Sequence, residues 1–380
     1  GPDGNYDHLS SYGMVSSYYD YDQLPGAKPE LLAKMKRAIE KNLSFKSFFW
    51  LPQPSGEIAA LTAPNCRTSG VLAHPSYPGD YMASPKFALG AARLDLNRDP
   101  ETGTGMAGTF SHAASSDVWA RRVIEWGLSK KDEGFADIYN VMGNWLTELR
   151  EAYAMPREVA PAQIPCEALS GVWELPGQFA WKEAGLYGLV FYEVVGTSMD
   201  LTGKMGGGLT ALWTKGTGAV ICGMNDPKKK TTKPTEVGHS AVFGEDSSGK
   251  FFCSGLGGDR SQGSRNGNAF RIVSKVKNPG VDVVWDYKWE EAGAKVNVAF
   301  PLDKVSSAFL SLPIYAGEKD ASLSLEKNAF TYTLGGSSVE LSWPAGFEAS
   351  LEPCDFPKTK RLVLKMPAKG GLPISIKVKK

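Results

Sequence analysis

The spacing of apolar residues changes once along the chain, from a period near 3.6 to a period near 2. Tyr6 to about Tyr21 carries His8, Leu9, Tyr12, Val15 and Tyr19 at helical spacing. Pro29 suits a first helical position, and Leu31, Leu32, Met35, Ile39 and Leu43 follow on one face. From about Leu51 to Ser115 the chain is irregular and rich in Gly, Pro, Ser and Asn, the composition of a long functional loop. Ser115 or Ser116 then caps a helix bearing Trp119, Val123, Ile124 and Trp126. Phe135 to about Met155 reads as a strongly amphipathic helix, with Ile138, Val141, Met142, Trp145, Leu149 and Tyr153 on its stripe.

Pro156, Pro161 and Pro165 mark a linker, and strand-like runs follow it. They are Leu186–Val195, Leu209–Trp213, Ala219–Met224, Ser240–Phe243, Lys250–Ser254 and Phe270–Val276. Val281–Trp289, Lys295–Phe300, Ala329–Leu334, Ser338–Trp343, Arg361–Lys365 and Ile374–Val378 continue the series. Turn signals such as Asp246-Ser247-Ser248-Gly249 and Leu334-Gly335-Gly336-Ser337 separate them. Successive strands without intervening helices predict two packed antiparallel sheets. The expected class is α+β: a helical segment over 1–155, a linker over 156–168 and an antiparallel β-sandwich over 169–380.

A length of 380 residues fits two domains. Lys plus Arg number 42 against 41 Asp plus Glu, a net charge of +1, so no global basic field recruits nucleic acid. The cluster Lys228, Lys229, Lys230 and Lys233 lies among Thr and Pro and reads as a solvated loop. No apolar run approaches the roughly 20 residues of a membrane span, and no signal peptide precedes Gly1-Pro2-Asp3-Gly4. That opening fits a processing scar or the interior of a longer chain, so a missing N-terminal half or a second chain is an expected partner. Cys66, Cys166, Cys222, Cys253 and Cys354 are too scattered for a metal knuckle. Cys222 and Cys253 either pair or stay as buried thiols.

The densest polar and aromatic cluster is Asp3-Gly4-Asn5-Tyr6-Asp7-His8-Leu9-Ser10-Ser11-Tyr12-Gly13. His8 and Tyr12 stand four apart and share a helix face, a pairing suited to proton transfer. Aromatic packing around one hydrogen-bonded histidine explains the same spacing. A second cluster, Pro64-Asn65-Cys66-Arg67-Thr68-Ser69-Gly70, precedes His74-Pro75-Ser76-Tyr77. Asn65 and Arg67 suit a carboxylate, Arg through its forked guanidinium, although the same residues serve to tie down a long loop. His74 adds a proton donor, and His239 in Val237-Gly238-His239-Ser240 sits on a sandwich loop, where a structural role competes.

Asp95-Leu96-Asn97-Arg98-Asp99-Pro100-Glu101 alternates oxygen side chains as calcium loops do. Pro100 stands where such a loop wants Gly, and its twelfth position is Met106, so a polar turn is the better reading. Gly206-Gly207-Gly208 follows no Rossmann strand and opens no helix, which excludes a nucleotide loop. No nucleophile elbow, His-Glu-x-x-His helix or Cys-x-x-Cys pair occurs, and neither a cofactor nor a metal is expected.

With both clusters in view, the chain resembles the C-terminal half of polysaccharide lyases built from a helical toroid and a β-sandwich. These are the heparinase II/III-like and the chondroitin or hyaluronate lyase-like proteins. The resemblance rests on Asp3-Gly4-Asn5-Tyr6-x-His8-x-x-x-Tyr12-Gly13 and Asn65-Cys66-Arg67-Thr68-Ser69-Gly70. Gly208-Leu209-Thr210-Ala211-Leu212-Trp213 and the His239 strand add to it. It implies β-elimination on an acidic polysaccharide by a secreted or periplasmic protein. Tyr12 would then be base or acid with His8 as partner. Asn65 and Arg67 would neutralise the uronate carboxylate, and His74 and His239 would be further candidates. The chain departs from the pattern twice: it supplies few helices for a toroid, and it lacks the His/Asp-rich strand motif that would hold zinc. Two other readings stay open. One is a non-catalytic carbohydrate-binding or structural protein; the other is a glycoside hydrolase using a carboxylic pair among Asp3, Asp7 and Asp80.

Overall fold

The computed structural model describes residues 14, 17–18, 20–48, 50–55, 58–60, 164–175, 177–192, 206–223, 231–255, 260–291, 293–356 and 358–379. By its contacts the chain divides into two units. The first comprises Gly1–Gly4, Leu51–Pro75 and Leu169–Lys380, and the second Asn5–Trp50 and Ser76–Ala168.

In the second unit, helix α1 spans Pro29–Ser47. Its first residue is Pro29, whose missing N–H is one that a helix start leaves unpaired anyway, and Glu30 complements the dipole in the first turn. Along the expected stripe Ile39 is buried and Leu32 and Met35 are half-buried, while Leu31 is exposed. A short helix, α2 (Pro165–Ala168), falls inside the expected linker. The helices expected over 115–155 lie outside the described residues. Two short strands, β1 (Trp50–Pro52) and β2 (Ile58–Ala60), pair within the stretch expected to be irregular.

The first unit is built from strands. The chain runs through β3 (Gly171–Leu175), β4 (Gln178–Glu183), β5 (Leu186–Phe191), β6 (Leu209–Thr214) and β7 (Gly218–Cys222). Next come β8 (Ala241–Asp246), β9 (Phe251–Cys253), β10 (Arg260–Asn266), β11 (Ala269–Val276), β12 (Val281–Glu290) and β13 (Gly293–Ala299). After them follow β14 (Val305–Tyr315), β15 (Ser322–Leu325), β16 (Ala329–Leu334) and β17 (Ser337–Ser342). The series closes with β18 (Ala349–Pro353), β19 (Thr359–Lys365) and β20 (Gly371–Lys379).

Two sheets result. The eight-stranded one has the order β10-β11-β12-β13-β20-β17-β16-β15. The ten-stranded one has the path β18-β19-β14-β7-β6-β5-β4-β3, with β8 on β14 and β9 on β8. Neighbouring strands run antiparallel throughout both.

The sheets pack face to face as a sandwich, because residues of both supply one buried apolar core. Phe179 of β4 lies 4.1 Å from Phe270 of β11, and Trp181 lies 6.2 Å from Trp289, so aromatic rings bridge the layers. In the eight-stranded sheet one face is dry and one wet. Along β12, Val281, Val283, Trp285, Tyr287 and Trp289 are buried, whereas Asp282 and Lys288 are exposed. Its outer face carries cross-strand ion pairs such as Arg271–Asp286 and Lys295–Glu290. Exposed pairs of this kind add little stability.

The ten-stranded sheet differs. Every residue of β5, β6 and β7 is buried. Leu186, Val190 and Leu212 face the other sheet, while Tyr187, Leu189, Ala211 and Trp213 are buried outside that core. Part of their cover is the end of β1 and the residue that follows it. Trp213 Nε1 donates to the Pro52 carbonyl at 2.7 Å, and Gln53 Oε1 accepts from Ala219 N–H at 3.1 Å.

At Gly188 the fit admits no side chain: a Cβ there would sit 2.1 Å from the Trp181 ring. Gly188→Ala is therefore expected to lower stability by about 1–3 kcal/mol, the usual cost of overpacking. A urea denaturation midpoint moved down at constant m-value checks this; an unchanged midpoint contradicts it.

Candidate functional site

Of the six residues that the sequence nominates, His239 is described. His8, Tyr12, Asn65, Arg67 and His74 lie outside the described residues, as does the Asp95–Glu101 turn considered for calcium.

His239 stands between a single 3-10 turn, Pro234–Glu236, and the start of β8. Three backbone segments meet there. The Gly206-Gly207-Gly208 crossing leads into β6, and a Cβ on Gly208 would lie 2.1 Å from the Ser240 carbonyl oxygen. A Cβ on Gly206 would lie 2.9 Å from the backbone of Gly255. The glycines thus serve close approach between backbone segments. Ser240 Oγ donates to the Leu209 carbonyl at 2.5 Å, and the Tyr287 hydroxyl donates to the Gly207 carbonyl at 2.5 Å. Burial holds the Tyr287 phenol well above its ordinary range, so it remains a donor.

The imidazole itself has no solvent exposure. Its Nε2 lies 2.9 Å from the Ser254 carbonyl oxygen, which can only accept, so Nε2 carries the hydrogen. In the neutral ring Nδ1 then keeps its lone pair, and it has no hydrogen-bond partner among the described residues. Desolvation pushes the His239 pKa below its ordinary value, opposed by the bond to Ser254. The Cys253 sulfur approaches Nε2 at 3.9 Å and also contacts the Ser254 carbonyl at 3.4 Å. The ring is thus neutral, held by backbone on one side and with a bare nitrogen on the other, and burial makes it reluctant to take a proton.

Other buried polar groups lack partners among the described residues, and three share one face. Strand alternation turns Gln178, Ser311 and Arg361 away from the inter-sheet core. Both amide atoms of Gln178, Ser311 Oγ and Arg361 Nη1 have no partner there. Each unmet buried group of this kind costs roughly 1–3 kcal/mol. The only sequence signal for them was a polar residue interrupting an apolar run, as Ser311 does in Phe309-Leu310-Ser311-Leu312. Cys222 and Cys253 are thiols and not a disulfide, and burial pushes the Cys222 thiol up to about 12. No group of metal-ligating side chains occurs among the described residues.

No known protein family matches the chain, and no curated protein matches it. Among solved structures, heparan sulfate lyase HepC from Pedobacter heparinus aligns with a TM-score of 0.39 and 9% identity. The alignment covers 94% of this chain and 65% of that one, so this chain spans less than two thirds of the enzyme's length. A mutant of the same lyase gives a TM-score of 0.40 at 9% identity and the same coverage. A 4-alpha-glucanotransferase from Thermococcus litoralis gives 0.32 at 10% identity, over 70% of this chain and 49% of that one. These are remote structural resemblances.

The buried imidazole has a consequence for acid stability. The folded-state pKa lies below the unfolded one, so the unfolded chain binds the extra proton first. His239 therefore contributes nothing unfavourable above its ordinary value of 6.5, and stability falls as pH drops below that value toward the folded pKa. In His239→Gln this part of the acid loss should vanish. Urea unfolding of both proteins at several pH values between about 7.5 and 5 measures it. Parallel pH profiles for the two would contradict a buried neutral His239.

Proposed function

We propose that the chain is a carbohydrate-active protein, a polysaccharide lyase that cleaves an acidic, uronate-containing polysaccharide by β-elimination. The observation that carries the reading is the two-sheet antiparallel sandwich that follows the chemistry-bearing N-terminal clusters. The cluster around His8 and Tyr12 and the Asn65–Gly70 loop supply the rest from sequence. In this reading the helices before residue 155 belong to an α/α toroid completed by a missing half or a second chain, and the protein is secreted or periplasmic.

The chemistry balances without a cofactor. Asn65 and Arg67 bind the uronate carboxylate and stabilise the charge that develops on it when the neighbouring C–H loses its proton. A base takes that proton, the C–H electrons form the carbon–carbon double bond, and the glycosidic C–O bond breaks. The leaving oxygen collects a proton from an acid. Tyr12 and His8 share these proton transfers, and His239 offers Nδ1 as a further acceptor.

A second reading, a binding protein without chemistry, is favoured by one observation: His239 has no exposure to solvent. Incubation with a panel of uronate polysaccharides separates the two, since elimination creates an unsaturated sugar with new ultraviolet absorbance. The expected result is turnover that falls at least about 100-fold in Tyr12→Phe and in His239→Ala, the usual scale for losing a proton-transfer group. Binding without any new absorbance would favour the second reading. Reducing-end release without absorbance would favour a hydrolase.

A further inference from the structure

The backbone leading to His239 is held by a turn 120 residues later in the chain. Asp355 N–H donates to the Thr235 carbonyl at 2.8 Å, and Thr235 Oγ1 donates back to Asp355 Oδ2 at 3.2 Å. Lys233 Nζ pairs with the same carboxylate oxygen at 2.8 Å. The Cys354 thiol contacts the Val237 carbonyl at 3.8 Å, two residues before His239. Within the held segment, Thr232 N–H and Oγ1 both donate to Glu236 Oε2, which keeps the Glu236 carboxyl below its ordinary range.

Behind the turn lies Arg361, a charged side chain with 1% exposure. Its Nε donates to the Pro353 carbonyl at 3.2 Å and its Nη2 pairs with Glu352 at 2.5 Å, so it fixes the chain entering the turn. Its guanidinium also stands 5.3 Å from the centre of the Phe243 ring. Phe243 pairs in register with Cys253, whose sulfur is 3.9 Å from His239 Nε2. Arg361 thus reaches the imidazole by two routes, through backbone at 353–355 and through the Phe243–Cys253 pair. The titratable or charged groups on these routes include Arg361, Glu352, Cys354, Asp355, Lys233 and Glu236 on the first, and Cys253 on the second.

We propose that Arg361, acting through the 352–355 turn, is the positioning residue that fixes His239 in its closed, water-free setting. This rests on the reading of His239 as a proton acceptor. A buried guanidinium serving only as glue would stabilise the fold without governing the imidazole. A positioning guanidinium sets how the imidazole titrates, since loosening the loop admits water and lessens the desolvation that holds the pKa down.

The test is a histidine NMR titration of the full chain, which has four histidines, with His239 assigned by its loss in His239→Gln. In Arg361→Gln the His239 midpoint should rise by about one pH unit toward its ordinary value. Asp355→Ala should raise it in the same direction, and Arg361→Lys should remain nearer the parent. Asp355 is partly exposed, so its variant reports even where Arg361→Gln fails to fold. An unchanged His239 midpoint in Asp355→Ala and in any folded Arg361 variant, with only a lowered melting temperature, overturns the proposal. Failure of the lyase reading looks different: no new ultraviolet absorbance would appear on any uronate polysaccharide while the titration shifts persisted.

Discussion

A sheet with water on neither face must meet its backbone hydrogen bonds within the ladder and its side-chain ones within the protein. The ten-stranded sheet is in that position along β5, β6 and β7, where all residues are buried. The inter-sheet core covers one side, and the Leu51–Gln53 segment covers part of the other through Trp213 and Ala219. The eight-stranded sheet has no such obligation. Its outer face keeps Arg271, Asp286, Lys288 and Lys295 in water, where ion pairs form and break at small cost.

The properties of His239 follow from that burial. An imidazole without solvent resists taking a proton, and its one strong partner is a carbonyl that asks for a donor. The combination fixes a tautomer and leaves Nδ1 as a bare acceptor. Gln178, Ser311 and Arg361 are also unmet on the face of the ten-stranded sheet away from the core, as Trp181, Trp285, Tyr332 and Trp343 are within it.

The sequence spoke most clearly where one face of a strand is wet. Along β11 and β12 alternation marks the strands to within a residue or two, because polar positions report solvent. Strands β5, β6 and β7 show instead as short continuous apolar runs bounded by glycine. Six strands of the sandwich, β3, β4, β10, β14, β15 and β18, were not marked. In β10 the mostly exposed Arg-Ser-Gln-Gly-Ser-Arg-Asn has no apolar rhythm, and in β14 Pro313 interrupts the strand pattern. In α1 the helical period was legible, but Leu31 falls outside the buried stripe. For the site, His239 was visible as a chemical type. Its acceptor, the carbonyl of Ser254, was not, because a backbone carbonyl has no residue signature. The hold of Asp355 on Thr235 joins segments too distant in sequence for any local pattern to announce.

Double-sided burial of the ten-stranded sheet is the claim on which the rest depends, and amide hydrogen exchange followed by mass spectrometry addresses it directly. Peptides covering Leu186–Phe191, Leu209–Thr214 and Gly218–Cys222 should be the slowest in the sandwich, opening only with global unfolding. Peptides covering Arg260–Asn266 and Ser322–Leu325, at the edges of the eight-stranded sheet, should exchange far sooner. Exchange of β5, β6 and β7 as fast as these edges would contradict an internal sheet, and with it the sealed setting of His239.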